Sequence, residues 1–116
     1  MLGLGHAHAL DIVKVLRASP DFVLTGLCEP DESVRARYAP EAAVQGLPWL
    51  AQEELLGNPA IQMVAVESNV TRLLFFGRAV ADAGKHLHMD KPAGTSLTEF
   101  RELLDSAARH QRLVQM

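Results

Sequence analysis

Short apolar runs alternate with stretches of helical period along this chain, and that order constrains the fold more than any other feature. Runs this short, bounded by glycine, proline or polar residues, are typical of strands buried on both faces of a parallel sheet. They fall at residues 22–28, 61–66, 85–89 and 112–116, and a minor strand is expected around residues 43–45.

The segments between these runs have the period of an amphipathic helix. Residues 70–83 carry small and apolar side chains at three- and four-residue steps, and Gly84 follows where a left-handed C-cap is expected. Residues 97–108 repeat the pattern after Ser96, with Glu99 at the capping-box spacing. Further helices are expected at residues 9–16, ending before Pro20, after Asp31, and over residues 51–56.

Strands that alternate with helices imply right-handed crossovers and helices on both faces of the sheet. The predicted fold is therefore a doubly wound, mostly parallel α/β sandwich, Rossmann-like, in one domain over residues 1–116. A chain of 116 residues buries about two thirds of the surface of its unfolded form, so it needs no disulfide. The single cysteine, Cys28, lies in a predicted buried strand and suits a reducing compartment, so we expect a cytoplasmic protein.

Charge and composition exclude several classes of partner. The net charge is −3, with 11 lysine and arginine residues scattered along the chain, and aromatic residues make up 5%. Neither a basic patch nor a base-stacking platform for nucleic acid follows from this composition. The apolar runs are far shorter than the roughly 20 residues of a membrane span, so no membrane partner is expected.

A glycine turn opens the chain and leads directly into the first predicted helix. Gly3 and Gly5 match the first two glycines of a dinucleotide-binding turn, while His8 replaces the third. The turn and the helix N-terminus beside His6 and Ala7 are predicted to contact the diphosphate of a nucleotide. The glycine spacing also suits a plain strand-to-helix turn, and that alternative stays open.

An acidic residue, Glu29, ends the second predicted strand, 24 residues after Gly5. A carboxylate there can accept hydrogen bonds from both hydroxyls of an adenosine ribose and repels a 2′-phosphate. This favours NAD over NADP, although Arg35 and Arg37 lie close enough in sequence to keep NADP possible. The alternative is that Glu29 only forms a polar turn and cap beside Asp31.

The most specific motif spans residues 83–92. Gly84, Lys85 and His86 open a predicted strand, and Asp90, Lys91 and Pro92 follow it. This segment resembles one in the Gfo/Idh/MocA oxidoreductases, in which Gly-Lys-His opens the fifth strand and Glu-Lys-Pro closes it. Asp90 replaces the usual glutamate. The resemblance continues through residues 96–99 and 50–66, and so covers nearly the whole chain.

One segment departs from the family pattern. After the fourth strand the family usually carries Thr-Pro-Asn-x-x-His, whereas this chain has Glu67, Ser68 and Asn69 and then Val70, Thr71 and Arg72. Only Asn69 is retained. The resemblance implies that Ser68 and Asn69 line the cofactor cleft.

The resemblance also implies a function, namely hydride transfer between a nicotinamide cofactor and a hydroxyl-bearing carbon of a sugar, cyclitol or similar polyol. Asp90, Lys91 and Pro92 then border the cofactor, and Lys91 is the expected catalytic residue. Without the surrounding motif, Lys91 reads as a surface lysine. The alternative function is a non-catalytic nucleotide-binding module or sensor subunit.

The family's second domain, which supplies substrate contacts and commonly the subunit interface, has no counterpart in these residues. We therefore expect this chain to be the cofactor half of a longer protein that forms a homo-oligomer. Only Met1 and Leu2 precede Gly3, so the first, central strand is expected to be clipped and the isolated chain to be less stable than its length suggests.

Four of the five histidines occur as two pairs, His6 with His8 and His86 with His88. Residues two apart share one face of a strand, so His86, His88 and His6 are expected near the same edge of the sheet. Imidazoles suit zinc, but no aspartate or glutamate completes an obvious site in the sequence. We therefore expect the histidines to pack and hydrogen-bond around the cleft, with no metal.

Overall fold

The computed structural model describes residues 1–116 and contains five helices and three strands. The helices are α1 (Ala9–Ala18), α2 (Glu32–Tyr38), α3 (Gln52–Gly57), α4 (Val70–Asp82) and α5 (Leu97–Arg109). The strands are β1 (Met63–Val66), β2 (His86–Met89) and β3 (Val114–Gln115). None of the helices combines the length and hydropathy that a membrane crossing requires.

The sheet is parallel and its centre is the very start of the chain. Strands β1, β2 and β3 pair in that order, with Met63 opposite His86 and Leu87 opposite Val114. Isolated parallel bridges extend the sheet from Leu2 to Val66 and Cys28, and from Leu27 to Trp49. The segment at Leu2 therefore lies between the segment at Cys28 and strand β1. This is the strand order of a doubly wound Rossmann fold.

Two apolar clusters cover the two faces of this sheet. The alternation of side chains along β1 places Val64 and Val66 on one face and Ala65 on the other. The face that we call the α4/α5 face has 14 buried residues, among them Leu73, Phe76, Val80, Leu87 and Leu103. The opposite face, which we call the α1 face, has seven: Met1, Leu4, Ala9, Val13, Leu27, Val44 and Ala65. The predicted sandwich, with helices on both faces, is confirmed.

Capping side chains explain where three helices begin. The Asp31 carboxylate accepts hydrogen bonds from the backbone N–H groups of Ser33 and Val34 at the start of α2. Asn69 caps α4 in the same way, and Ser96 accepts from the N–H of Glu99 at the start of α5. Gly84 has φ +66°, which confirms the left-handed conformation expected after α4.

The predicted strand at residues 22–28 is wrong over most of its length. Only Leu27 and Cys28 form bridges, while Phe22 and Val23 are 46% and 87% exposed. Residues 22–25 make no backbone hydrogen bond to the neighbouring segment, because a cavity of about 340 Å³ separates them from residues 61–63. Met1 lies at the end of this cavity, where its amino group donates to the carbonyl oxygen of Gly26.

Other expected strands are shifted or shortened. Residues 43–45 form a turn, and the outer bridge of the sheet is instead made by Trp49. The last strand is limited to Val114–Gln115, because only two residues pair with β2. The other elements differ from their predicted bounds by one or two residues at either end.

Candidate functional site

The glycine turn lies at the edge of the sheet where the parallel strands end. Gly3 has φ +77°, and a Cβ atom there would lie 2.9 Å from Cβ of Ser68. A Cβ atom on Gly5 would lie 3.2 Å from the backbone nitrogen of Asn69. Both glycines therefore allow the turn to pack against residues 68–69, and the N–H of His6 donates to the carbonyl oxygen of Glu67 at 2.8 Å.

The N-terminus of α1 follows this turn directly. His8 is the N-cap residue, and its side chain makes no hydrogen bond to the first helical amides. Ala7 and His8 are exposed and His6 is half-buried. Because helix N-termini carry partial positive charge, this end of α1 can stabilise an anionic group.

Glu29 lies beside the turn and joins it to the next segment of the sheet. One carboxylate oxygen, Oε2, accepts from the N–H of Leu4 at 2.6 Å, and Oε1 accepts from the N–H of Asp31 at 2.9 Å. Glu29 therefore shapes the polar turn before α2, as the alternative expected. It also borders an open cavity of about 460 Å³ together with Arg35, whose guanidinium lies 5.1 Å from the ring centre of Trp49.

The segment after β1 forms the floor of the site. Ser68 is buried, and its hydroxyl donates to the carbonyl oxygen of Asn69 at 3.0 Å. The Asn69 side chain accepts from the N–H of Arg72 and from the hydroxyl of Thr71, so the one family residue retained here is a helix cap. Both residues touch the glycine turn through their backbones.

The segment after β2 reaches the same edge. Asp90 Oδ1 accepts from the N–H of Lys91 at 2.7 Å, while Oδ2 lies 2.7 Å from Nδ1 of His6 and 2.6 Å from Nδ1 of His8. Burial favours a higher pKa for Asp90, but the Lys91 N–H and the imidazoles outweigh it and lower the pKa. Lys91 and Pro92 are exposed, and the peptide bond between them is cis.

Lys85 and His86, the other members of this motif, lie outside the site. The buried Lys85 ammonium donates to the carbonyl oxygens of Asn58 and Ile61 at 2.7 and 2.8 Å, and burial lowers the pKa of Lys85. His86 accepts from the N–H of Leu113, so its expected position near His6 is wrong. These residues hold β2 in place, and only the end of the motif enters the site.

Glu67 is the residue that sequence analysis missed. It is fully buried, and neither carboxylate oxygen has a hydrogen-bond partner. Its oxygens lie 3.7 Å from Nδ1 of His6 and 3.6 Å from Nε2 of His88, and this carboxylate raises the pKa of His88. A charged residue directly after an apolar run, where the family carries threonine, was the signal that could have identified it.

The predicted site residues thus converge on one edge, and their arrangement fits a dinucleotide. Gly3 and Gly5 themselves carry no side chains, no side chain caps α1, and Glu29 lies beside the turn. The carboxylates of Glu67 and Asp90 lie 3.7 and 2.7 Å from Nδ1 of His6 at this edge. The folded chain thus brings a carboxylate, Asp90, to His6 and His8, although no such residue was obvious in the sequence.

Comparisons with known proteins agree with this arrangement. A search of curated protein sequences returns no match. Among solved structures, biliverdin reductase from Synechocystis sp. PCC 6803, in complex with biliverdin and NADP+, has a TM-score of 0.81 at 21% identity over 98% of this chain and 35% of its own. An NAD-binding protein from Listeria innocua has a TM-score of 0.82 at 19% identity, covering 97% and 31% of the two chains.

GenD2 from gentamicin A biosynthesis, in complex with NAD, gives a TM-score of 0.80 at 20% identity over 98% of this chain and 32% of its own. The chain therefore spans about a third of the length of these similar structures. The model of the Gfo/Idh/MocA family, described as an oxidoreductase family with an NAD-binding Rossmann fold, matches residues 1–116. The chain belongs to the Gfo/Idh/MocA oxidoreductase family, of which it forms the NAD-binding Rossmann domain.

Proposed function

We propose that this chain is the cofactor-binding half of an enzyme that transfers a hydride between a nicotinamide and a hydroxyl-bearing carbon of a sugar, cyclitol or similar polyol. The observation that carries the proposal is the position of the segment after β2. Asp90 is hydrogen-bonded to His8, and its Oδ2 lies 2.7 Å from Nδ1 of His6, so Lys91 lies at the same edge as the dinucleotide turn. Bound nicotinamide supplies or accepts the hydride.

Lys91 has the chemistry that such a reaction needs. Its side chain is exposed, and its backbone N–H donates to Oδ1 of Asp90 at 2.7 Å. An ammonium group there can hold the substrate oxygen and stabilise the charge that develops on it as the hydride moves. Burial by the cofactor and by a substrate domain strengthens this interaction, because both lower the local dielectric constant.

The test compares Lys91→Ala with wild type in the full-length enzyme, by steady-state turnover of a polyol panel and by NAD titration. We expect turnover to fall by roughly a hundredfold or more, with NAD affinity little changed. Lys14→Ala is the matched control, because Lys14 is an exposed lysine on α1 that pairs only with Asp11. Unchanged turnover in Lys91→Ala would refute the role.

NAD is proposed as the preferred cofactor, with NADP possible. The carboxylate of Glu29 lies beside the turn and opposes a 2′-phosphate, while Arg35 in the same cavity favours one. The similar structures carry either NAD or NADP+. Tighter binding of NADP than of NAD in a calorimetric titration would contradict this preference.

We further propose that a substrate domain outside these residues completes the enzyme and carries its homo-oligomer contacts, in the cytoplasm. The similar biliverdin reductase binds biliverdin, which is not a polyol, so the substrate class rests on the family resemblance. Dinucleotide binding by the full-length protein, with no nicotinamide absorbance change on any polyol, would instead support the non-catalytic module.

A further inference from the structure

Three side chains from separate parts of the chain bring their donor atoms together at the edge of the sheet. They are His6, His8 and Asp90, and each offers one donor atom within 4.8 Å of the others. Oδ2 of Asp90 lies 2.7 Å from Nδ1 of His6 and 2.6 Å from Nδ1 of His8. We propose that these three side chains bind a divalent transition-metal ion of the Zn²⁺ type. This inference does not depend on the proposed hydride transfer.

The backbone holds each of these donors in place. The N–H of His6 is bonded to the carbonyl oxygen of Glu67, and His8 is the N-cap of α1. Asp90 follows β2 directly, and its other oxygen accepts from the N–H of Lys91, so Oδ2 points toward the imidazoles. The hydrogen bond to Lys91 orients the Asp90 carboxylate as outer-shell partners orient the carboxylate ligands of metal sites.

The distances require only small movements to admit an ion. Nδ1 of His6 and Nδ1 of His8 lie 2.7 and 2.6 Å from the same carboxylate oxygen. Donors of a tetrahedral zinc site, with bonds of about 2.0–2.2 Å, lie about 3.3–3.5 Å apart. Side-chain rotations that move the carboxylate oxygen away from the rings by somewhat less than about 1 Å therefore create the site.

Glu67 supplies an independent reason to expect a cation. It is fully buried, neither oxygen has a hydrogen-bond partner, and Oε2 lies 3.7 Å from Nδ1 of His6. A buried carboxylate without partners carries a large desolvation penalty unless positive charge lies close to it. Oε1 of Glu67 lies 3.6 Å from Nε2 of His88, whose pKa it raises, whereas Oε2 faces Nδ1 of His6. An ion bound to His6 and Asp90 places two positive charges on the Oε2 side of this carboxylate.

The donor types select the kind of ion. Two imidazoles and one carboxylate suit Zn²⁺ and similar transition ions, whereas Mg²⁺ and Ca²⁺ prefer sites made of oxygen atoms. Three protein ligands leave at least one coordination position for a further ligand. His8 is half exposed, so this position is accessible from the cleft.

The test is a Co²⁺ titration of the metal-free 116-residue chain without nucleotide, followed by visible absorption and then by competition with Zn²⁺. We expect one equivalent to bind with the intense bands of tetrahedral or five-coordinate cobalt. His8→Ala and Asp90→Asn should each weaken binding by more than about tenfold. His110→Ala and Asp21→Asn, which change exposed residues away from the cluster, should bind as wild type does.

Circular dichroism of wild type and of each variant shows whether the helices are retained, and only folded proteins are compared. Wild-type protein that binds no Co²⁺ or Zn²⁺ above the level of buffer would overturn the proposal. So would folded His8→Ala and Asp90→Asn proteins that bind either ion as tightly as wild type. Because no nucleotide is present, neither outcome bears on hydride transfer.

Discussion

The two faces of the sheet differ in how completely the chain covers them. On the α4/α5 face, two 13-residue helices pack on β1 and β2 over a cluster of 14 buried residues. The α1 face has seven buried residues, a cavity of about 340 Å³, and exposed apolar side chains at Phe22 and Val23.

The candidate site residues, in contrast, lie mainly toward the α1 face and the adjoining edge of the sheet. The glycine turn, His6 and His8 lead into α1, and His88 lies on the strand face opposite Leu87 and Met89. We infer that the α4/α5 face supplies most of the stability, while the α1 face and the adjoining edge carry the binding groups. Hydrophobic stabilisation scales with the apolar area buried, so the two faces should respond differently to the same substitution.

The largest expected loss of stability comes from truncating one buried leucine in each face of the sheet. Leu103 and Leu27 are both fully buried, the first in the α4/α5 cluster and the second in the α1 cluster. We expect Leu103→Ala to lower the free energy of unfolding by about 4 kcal/mol and Leu27→Ala by about 3 kcal/mol, because side chains beside the existing cavity can relax. Urea unfolding measures both free energies. A larger loss of stability for Leu27→Ala than for Leu103→Ala would contradict the greater contribution of the α4/α5 face.

A smaller loss of stability is expected when alanine replaces Gly3 in the glycine turn, compared here with Gly46 in an open turn. Gly3 and Gly46 both have φ +77°, but a Cβ atom on Gly3 would lie 2.9 Å from Ser68 Cβ, whereas nothing lies within 4 Å at Gly46. Gly46→Ala should cost about 1 kcal/mol from backbone strain alone, and Gly3→Ala about 3 kcal/mol. Thermal unfolding of the two variants tests this, and equal losses would show that the turn is not packed against residue 68.

A third effect, which depends on pH, comes from the Met1 amino group, because burial lowers the pKa of this group from 8.0 to about 6. The unfolded chain binds this proton more tightly, so the penalty is present below pH 6 and disappears as the pH rises through 8. N-terminal acetylation should therefore stabilise the chain by about 2 kcal/mol at pH 5.5 and by almost nothing at pH 8.5. A difference that does not vary with pH would contradict the burial of this group.

Sequence patterns predicted the α4/α5 face well, because helices α4 and α5 carry strong periodicity and clear caps at Asn69 and Ser96. They predicted the α1 face less well. A strand at residues 22–28 depends on its neighbours, and in the structure only Leu27 and Cys28 pair, with Trp49 and Leu2. The strand propensity of residues 22–28 cannot reveal that a neighbouring strand is missing, because strand formation depends on both paired segments.

The site was predicted through its motifs but not through its contacts. Gly3, Gly5 and Asp90 lie at the expected edge, yet nothing in their spacing indicates that both glycines face residues 68–69. The approach of His6, His8 and Asp90 joins residues 82 or more positions apart, which only the folded chain brings together. Lys85, part of the same motif, binds carbonyl oxygens instead of entering the site.

The measurement that tests the central claim most directly is a map of backbone amide chemical shifts during NAD titration of the 116-residue chain. The account predicts the largest changes at residues 3–9, 68–69 and 90–91, with little change along α5. Changes concentrated at the cavity beside residues 21–25, or an unchanged glycine turn at saturating NAD, would contradict it.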